Sequence, residues 1–223
     1  MRDESRAATV LRLLRKCLAL PRLVKPKGNP FETLVVTIIS QNTADVNTER
    51  AFESLSKHFE ITPETLAKAD AAELEACLRV AGLYRAKAKA IQAVSAIIVE
   101  KYGGSLASIL SLPLDDARKT LMDLPGVGPK TADVVLLFSV NGPTIPVDTH
   151  VDRVSKRLGF APEHGDYEAV RLSLQRLFDP KDYLAAHLLL IAHGRKTCKA
   201  RRPLCHECPV YDYCPSNCLG DNQ

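Results

Sequence analysis

The sequence lacks an apolar run long enough to span a membrane, and residues 1–8 lack the apolar core of a signal peptide. The first absence argues against a membrane protein and the second against a secreted one. Internal repeats and low-complexity segments are missing too, and the hydrophobic (46%) and charged (25%) fractions are those of ordinary globular domains. We therefore expect a cytoplasmic protein with no membrane partner, whose 223 residues build one large domain or two small ones.

A strong excess of either charge is also lacking. The net charge of +4 permits a nucleic-acid partner but does not require one. Positive residues do cluster in one place, because Lys199, Arg201 and Arg202 lie between two cysteines, directly after Arg195 and Lys196. A basic loop tied at both ends to a metal centre would present its charge to phosphates. A merely solvated loop fits the charge pattern equally well.

Four of the seven cysteines form a compact block with the spacing C-x6-C-x2-C-x5-C. They are Cys198, Cys205, Cys208 and Cys214. Four thiolates this close repel one another, and a soft metal centre, either iron–sulfur or zinc, removes that repulsion. Two disulfides are the alternative, but disulfides belong mainly to oxidising compartments.

Apolar residues recur at helical spacing through almost the whole chain, which predicts an all-α fold. Residues 31–40 are rich in β-branched residues and are compatible with a strand or a helix. We favour a buried helix there because no partner strand occurs nearby. The predicted helices cover residues 10–18, 31–40, 43–58, a short stretch from 63, 71–81, 84–102, 105–111, 114–123, 129–140, 149–158, 167–177 and 182–193.

The helical faces predict where several side chains lie. Cys17 and Cys77 fall on apolar faces, so we expect both in the core. Val46 is expected to point inward from the helix at 43–58. Cys218 lies outside the cysteine block and is interpreted as a spare thiol in the C-terminal tail.

Residues 124–132 read LPGVGPKTA and lie between two predicted helices. Gly126 and Gly128 allow positive φ angles and let a phosphate approach the backbone closely. The amides of the turn and of the next helix's first turn would then point at an anion. This arrangement predicts a helix–hairpin–helix, which holds a DNA phosphate without recognising sequence. The complete string favours this interpretation over a plain turn.

Lys130 and Asp148 are the candidate reactive pair. Lys130 lies in the first turn of a helix, where the positive end of the helix dipole favours the neutral, nucleophilic amine. Position alone also suits a phosphate-binding or solvated lysine. Asp148 is at least an N-cap, and the intervening chain is long enough to return it to Lys130. A carboxylate there would accept a proton or stabilise an oxocarbenium-like centre.

These residues resemble endonuclease III, a DNA base-excision glycosylase of the helix–hairpin–helix superfamily. The resemblance covers nearly the whole chain. It is carried by residues 40–46, 82–84, 124–131, 147–150 and the cysteine block.

The resemblance implies an all-α fold in which two helical domains flank a deep DNA-binding cleft. One domain, 26–133, is a bundle that ends in the helix–hairpin–helix. The other combines 1–25 with 134–223 and carries a [4Fe–4S] cluster on the four cysteines of the block. The implied partner is double-stranded DNA with damaged bases or abasic sites, bound by a monomer in the cytoplasm at the nucleoid.

The resemblance also implies the chemistry. An oxidised pyrimidine is flipped out of the duplex, and Lys130 attacks the sugar C1′ and expels the base. A Schiff base forms, β-elimination cuts the strand, and Asp148 assists proton transfer. Relatives that only remove bases lack a lysine at this position, so Lys130 favours combined glycosylase and lyase activity.

Further DNA contacts are implied by the same resemblance. Gln41 and Leu83 match residues inserted into the gap left by the flipped base; a helix-cap glutamine and a core leucine are the alternatives. His150 borders the cleft and either contacts DNA or is a structural histidine. Pro129 departs from the family, where a basic residue is common, and removes one amide donor from the hairpin.

Two other functions remain open at this stage. One is a glycosylase for another lesion, such as a mismatched thymine or an ultraviolet photodimer. The other is a non-enzymatic DNA-binding module in which the cysteines hold zinc. Lesion choice depends on pocket shape, which the sequence does not reveal.

Overall fold

The structure is a computed structural model and describes residues 3–19 and 29–217. Within these residues it consists of helices joined by short turns and contains no β-strand, which confirms the all-α prediction. The longer helices are α1 (Asp3–Cys17), α2 (Pro30–Ser40), α3 (Asp45–His58), α4 (Pro63–Lys68), α5 (Ala71–Leu78), α6 (Tyr84–Tyr102), α7 (Ala107–Leu110), α8 (Leu114–Met122), α9 (Pro129–Val140), α10 (Thr149–Arg157), α11 (Tyr167–Leu177) and α12 (Tyr183–Lys196). Short 3-10 turns lie at Arg79–Ala81, Pro180–Asp182, Cys205–Glu207 and Tyr211–Tyr213.

Local capping explains where several helices begin. The Asn29 side chain accepts a hydrogen bond from Phe31 N at 2.9 Å, and Pro30 occupies the first helical position of α2. Thr62 caps α4 in the same way, with Pro63 at its first position. Residues 31–40 are therefore helical, as favoured from the sequence. Helices α6, α9 and α11 begin and end where they were predicted.

Two predicted core placements are wrong. Cys17 is exposed because α1 ends there, one turn beyond Leu14, its last buried residue. Val46 is 53% exposed, since the buried positions of α3 are Thr48, Ala51 and Leu55. Cys77 is buried, as expected. Cys218 lies outside the described residues.

Residues 29–142 form one compact unit. Its core is formed by buried residues from each helix from α2 through α9. The most extensive helix pairs are α4 with α6 and α2 with α9. Fully buried aliphatic side chains dominate this core. Examples are Leu34, Ile39, Leu55, Leu78, Ile98 and Leu121.

Residues 3–19 and 143–217 form the second compact unit, built from α1, α10, α11 and α12 with the cysteine-bearing segment. The Arg6 guanidinium of α1 donates to Leu158 O at 2.8 Å and to Tyr213 O at 3.2 Å, and lies 5.0 Å from the Phe160 ring centroid. The N-terminal helix is thereby joined to the C-terminal segment. This division keeps all of α9 with residues 29–142. The domain limits 26–133 and 1–25 with 134–223 stay predictions. None of the described helices is both long and apolar enough to cross a bilayer.

Candidate functional site

A tight hairpin connects α8 to α9 across residues 123–128. Leu124 and Val127 are buried and anchor it in the core, and Val127 N donates to Leu124 O at 3.1 Å. Gly126 has φ +76°, and a Cβ there would lie 3.0 Å from the Ala90 Cβ. Both the conformation and the space therefore require glycine at this position.

Gly128 differs from the sequence expectation. Its φ of −91° and ψ of 179° describe an extended backbone that any residue can adopt. The backbone conformation therefore does not require glycine at this position. It is the N-cap of α9, and a Cβ there would meet no atom within 4 Å among the described residues. The surface beside the first turn of α9 is thus open, which leaves room for a phosphate at the positive end of the helix.

A buried ion pair joins the two helices of the hairpin motif. Arg118 on α8 donates from Nε to Asp133 Oδ1 at 2.9 Å and from Nη2 to Oδ2 at 3.2 Å. The Asp133 side chain is fully buried, and that of Arg118 is only 13% exposed. This bidentate contact fixes the angle between the helices, because a desolvated pair tolerates little displacement.

Lys130 is the second residue of α9 and is partly exposed. Thr131 and Ala132, which follow it, are buried and hold this turn against the core. The amine-bearing side chain therefore starts from a rigid helix beside the open surface at Gly128.

Asp148 is the N-cap of α10, as predicted. Its Oδ1 accepts from His150 N at 2.9 Å and from Val151 N at 2.7 Å, and no donor reaches its Oδ2 within the described part of the chain. The carboxylate is partly exposed, and the chain that leads to it, residues 144–147, is buried. His187 on α12 donates from Nδ1 to Pro146 O at 2.9 Å and holds that segment in place. One oxygen therefore fixes the carboxylate as the helix cap, and the other accepts no hydrogen bond within the described residues.

His150 lies in the first turn of α10 and is partly exposed. Arg153 donates from Nη2 to Gly194 O at 2.9 Å and contacts His150 Nδ1 at 3.2 Å. A guanidinium only donates, so Nδ1 is the acceptor and a neutral ring carries its proton on Nε2. A Cβ at Gly194 would lie 3.0 Å from the His150 Cβ, so α12 needs glycine to let the histidine pack there.

Gln41 and Leu83 lie on two turns of the unit formed by residues 29–142. The Gln41 backbone caps the C-terminus of α2, while its Nε2 donates to Gly126 O at 2.9 Å and to Thr131 Oγ1 at 3.3 Å. Gln41 therefore contacts the hairpin directly. Leu83 is 64% exposed, so the core-leucine alternative is wrong.

The backbone at Leu83 is strained. Its φ of 47° and ψ of 27° are left-handed, a conformation that costs a non-glycine residue about 1–3 kcal/mol. An exposed leucine has no packing that would offset this cost. Such strain concentrates at functional positions and persists only where surrounding contacts enforce it.

Lys87 supplies contacts of that kind. It is 4% exposed, and its Nζ donates to Ile39 O at 2.7 Å, to Ala81 O at 3.0 Å and to Thr43 Oγ1. Burial lowers the pKa of this amine. Three oxygen acceptors match the three protons of an ammonium group.

The four cysteines of the block line one cavity of about 440 Å³, part of which is open to solvent. Cys198 lies two residues after the end of α12. Cys205 begins a 3-10 turn that Cys208 caps, with Cys208 N donating to Cys205 O at 3.0 Å. Cys214 follows the last 3-10 turn. None of the six cysteines in the described ranges forms a disulfide, which argues against the disulfide alternative.

Four thiols that line one cavity are a donor set suited to an iron–sulfur cluster. No three His, Cys, Asp or Glu side chains within residues 3–19 and 29–217 are arranged to hold one metal ion. Zinc with bonds of about 2.3 Å would need thiolates roughly 3.8 Å apart. In a [4Fe–4S] cluster each thiolate binds a different iron, so wider spacing is tolerated.

Burial disfavours the ionised form of two of the four thiols. Burial, with neighbouring thiols as a smaller cause, raises the pKa of Cys208 to about 11. Burial also raises the pKa of Cys214. These thiols are protonated near neutral pH, and a bound cluster would displace the protons.

Arg157 holds the basic loop to α10. Its Nη1 donates to Lys199 O at 2.7 Å and lies 3.5 Å from Cys198 Sγ, and its Nη2 donates to Ala200 O at 3.1 Å. Arg201 and Arg202 are exposed, as is Lys199. The loop therefore presents its cations outward from an anchored backbone.

Sequence reasoning missed Lys87, Arg153, Arg157 and His187. Lys87 shares a helical stripe with Ile91, Val94 and Ile98 of α6, and a lysine on an apolar stripe signals a buried amine. The other three bind backbone carbonyls far away in sequence, for which the sequence carries no local signal.

Two family models match the chain. The model described as HhH-GPD superfamily base excision DNA repair protein matches residues 35–180. The model of the iron–sulfur binding domain of endonuclease III matches residues 198–214, which begin and end at cysteines of the block.

Individual proteins agree with the family models. Endonuclease III of Sulfolobus acidocaldarius is 40% identical over 187 residues, covering 83% of this chain and 82% of its own. A non-covalent endonuclease III–DNA complex is similar in structure, with a TM-score of 0.85, 32% identity and full coverage of both chains. A trapped endonuclease III–DNA covalent intermediate gives a TM-score of 0.83 at 34% identity, covering 97% of this chain and 98% of that one.

Proposed function

The chain belongs to the HhH-GPD superfamily of base excision DNA repair proteins and, within it, to the endonuclease III family, and from this we propose that Lys130 and Asp148 carry the reactions of a bifunctional DNA glycosylase and abasic-site lyase. Its partner is duplex DNA with damaged bases or abasic sites. The observation that carries the assignment is the position of Lys130 on a rigid helix turn, beside an N-cap glycine whose surroundings are open.

The hairpin positions the DNA for this chemistry. The open surface at Gly128 and the first-turn amides of α9 bind a backbone phosphate without recognising sequence. Pro129 lacks an amide proton, so the hairpin offers one donor fewer than a non-proline residue would provide. Gln41 and Leu83 fill the gap that a flipped nucleotide leaves and offset part of the unstacking cost.

Lys130 is the nucleophile. Its Nζ lone pair forms a bond to C1′, the bond from C1′ to the base breaks, and the base leaves with the electron pair and takes up a proton. Asp148 accepts a proton from the alkylated ammonium, and the sugar ring opens to a Schiff base. Loss of a C2′ proton then expels the 3′ phosphate by β-elimination, and hydrolysis of the imine releases Lys130.

The cofactor is a [4Fe–4S] cluster, which Cys198, Cys205, Cys208 and Cys214 would hold. When bound, it cross-links the C-terminal segment and so fixes the ends of the basic loop. Lys199, Arg201 and Arg202 then contact the DNA backbone, and His150 offers its Nε2 proton to a phosphate or base. Since its substrate is genomic DNA, we place the enzyme at the nucleoid in the cytoplasm.

Borohydride reduction tests the nucleophile, because it converts a Schiff base on abasic DNA into a stable covalent adduct. The wild-type protein and the control variant Lys101→Ala, which changes an exposed lysine at the end of α6, should both give the adduct. Lys130→Ala should give none. An adduct at wild-type yield from Lys130→Ala would overturn the assignment.

We propose oxidised pyrimidines as the preferred lesions. A panel of duplexes that each carry one oxidised pyrimidine, one mismatched thymine or one ultraviolet photodimer tests this preference. Cleavage should be fastest on the oxidised pyrimidine. Faster cleavage of either other duplex would overturn the proposed lesion preference but would not affect the proposed role of Lys130.

A further inference from the structure

One buried amine joins the two turns that carry Gln41 and Leu83. The Nζ atom of Lys87 donates to Ile39 O, two residues before Gln41, and to Ala81 O, two residues before Leu83. Its third acceptor is the Oγ1 atom of Thr43, two residues after Gln41. A single tetrahedral group thereby fixes the chain on both sides of Gln41 and two residues before Leu83.

Thr43 links the two turns by a hydrogen bond of its own. Its hydroxyl lies 2.6 Å from Ala81 O, which accepts the hydroxyl proton, while Oγ1 accepts from Lys87. The turn at Gln41 is therefore bonded to the turn at Leu83 directly as well as through the amine. Gln41 in turn reaches the hairpin through Gly126 O.

The same turns have unusual backbone conformations. Asn42 has a φ of 54° and Leu83 a φ of 47°, both in the left-handed region. A residue in this conformation stays there only where neighbouring bonds enforce it. The Lys87 amine supplies such bonds within two residues of each position.

A packing role alone does not account for the amine. Burying an ammonium group is unfavourable unless its protons are bound, and an apolar side chain would continue the stripe formed by Ile91, Val94 and Ile98. The amine is what allows carbonyl groups from two separate turns to converge on one point. Its chemistry is matched to holding the turns together rather than to filling space.

We propose that Lys87 is a positioning residue for base extrusion, because its ammonium group holds the turns of Gln41 and Leu83 at the separation they need to enter the duplex together. This inference rests on the proposed function, in which these two side chains fill the gap left by the flipped base. Lys87 touches no reacting atom in this scheme. It acts through the two turns.

The test compares Lys87→Met with Lys89→Met, which changes an exposed lysine two residues along the same helix. Base extrusion is followed by the fluorescence of 2-aminopurine placed beside the lesion in a duplex. Lys87→Met should lose most of the fluorescence rise and slow single-turnover base excision at saturating enzyme by about tenfold. Lys89→Met should behave like the wild type.

A second substrate separates positioning from general damage to the fold. A single-stranded abasic oligonucleotide requires no extrusion, so Lys87→Met should still form the borohydride adduct on it at a rate within about twofold of the wild type. An equal loss on both substrates would overturn the proposal, as would unchanged extrusion by folded Lys87→Met. If Lys87→Met does not fold, Thr43→Val is used under the same criteria, since it removes one acceptor of the amine and one bond between the turns.

Gln41→Ala and Leu83→Ala, measured on the same duplex, separate this proposal from the one on which it rests. If neither variant lowers the fluorescence rise, the insertion roles fail and the positioning role fails with them. If both lower it and Lys87→Met does not, only the positioning role is overturned. The borohydride adduct of Lys130 is independent of all these outcomes.

Discussion

At the scale of single residues, strain marks function more clearly than hydrophobicity does. Leu83 is an exposed aliphatic residue in a left-handed conformation, and neither property helps the fold. Both properties are explained if the leucine side chain inserts into a DNA duplex, as proposed above. Stability and activity should therefore respond in opposite directions when this residue is changed.

Leu83→Gly should separate the two properties. Glycine adopts the left-handed conformation without strain, and little buried surface is lost, so the free energy of unfolding should stay the same or rise by up to about 1 kcal/mol. Base excision should fall by about tenfold because nothing fills the gap beside the flipped base. Urea denaturation and single-turnover excision measure the two quantities. A large loss of stability with normal excision would show that Leu83 is structural.

Asp148 is both the N-cap of α10 and the proposed proton acceptor, and two substitutions separate these roles. Asn is an equally good N-cap, so Asp148→Asn should change the free energy of unfolding by less than about 0.5 kcal/mol, whereas Asp148→Ala should cost about 1 kcal/mol. Both should slow base release by about a hundredfold, since neither accepts a proton. Thermal unfolding and single-turnover kinetics check this. An active Asp148→Asn would leave Asp148 with the capping role alone.

At the scale of elements, the hairpin shows what sequence pattern predicts and what it does not. The string at 124–132 and the cysteine spacing predict a helix–hairpin–helix and a metal block because the chemistry of each lies within a few consecutive residues. The prediction that Gly128 is needed for a positive φ angle was wrong. Glycine spacing alone does not distinguish a strained turn from a surface that is left open for a ligand. Val46 was placed inside wrongly because tertiary packing decides which face of α3 is buried. Lys87 was missed although its position on the apolar stripe of α6 indicates burial.

The two glycines of the hairpin should respond differently to the same substitution. Gly126→Ala meets both a positive φ and the Ala90 Cβ at 3.0 Å, so it should cost roughly 1–3 kcal/mol of unfolding free energy. Gly128→Ala should cost less than about 0.5 kcal/mol, because its backbone is extended and its surroundings are open.

DNA binding should follow the opposite order in the folded variants. The methyl group of Gly128→Ala enters the space proposed for the phosphate, so duplex affinity should fall by about tenfold. Fluorescence anisotropy on an undamaged duplex measures this loss. Wild-type affinity would place the phosphate elsewhere.

At the scale of the whole molecule, the net charge of +4 is too small to explain DNA binding, and the placement of charge has to do so. The basic loop is held by Arg157 and bounded by cysteines, so its cations project from a fixed backbone. Family membership agrees with this arrangement, because one family model spans residues 35–180 and another spans the cysteine block.

Neutralising Lys199, Arg201 and Arg202 together should weaken binding to every duplex sequence alike. The slope of log affinity against log salt should become shallower by up to about 2.7, at about 0.9 for each phosphate that the loop no longer neutralises. The matched control neutralises Lys57, Lys68 and Lys101, which are exposed elsewhere on the chain. If the control changes the slope as much as the loop variant does, the loop has no special role.

The central claim is that the Lys130 amine bonds covalently to the sugar, and peptide mapping of the borohydride-reduced adduct tests it most directly. Mass spectrometry of the digested wild-type adduct should find the sugar remnant on the peptide containing Lys130, attached to its Nζ atom. A remnant on any other lysine, or on the N-terminal amine, would contradict the account.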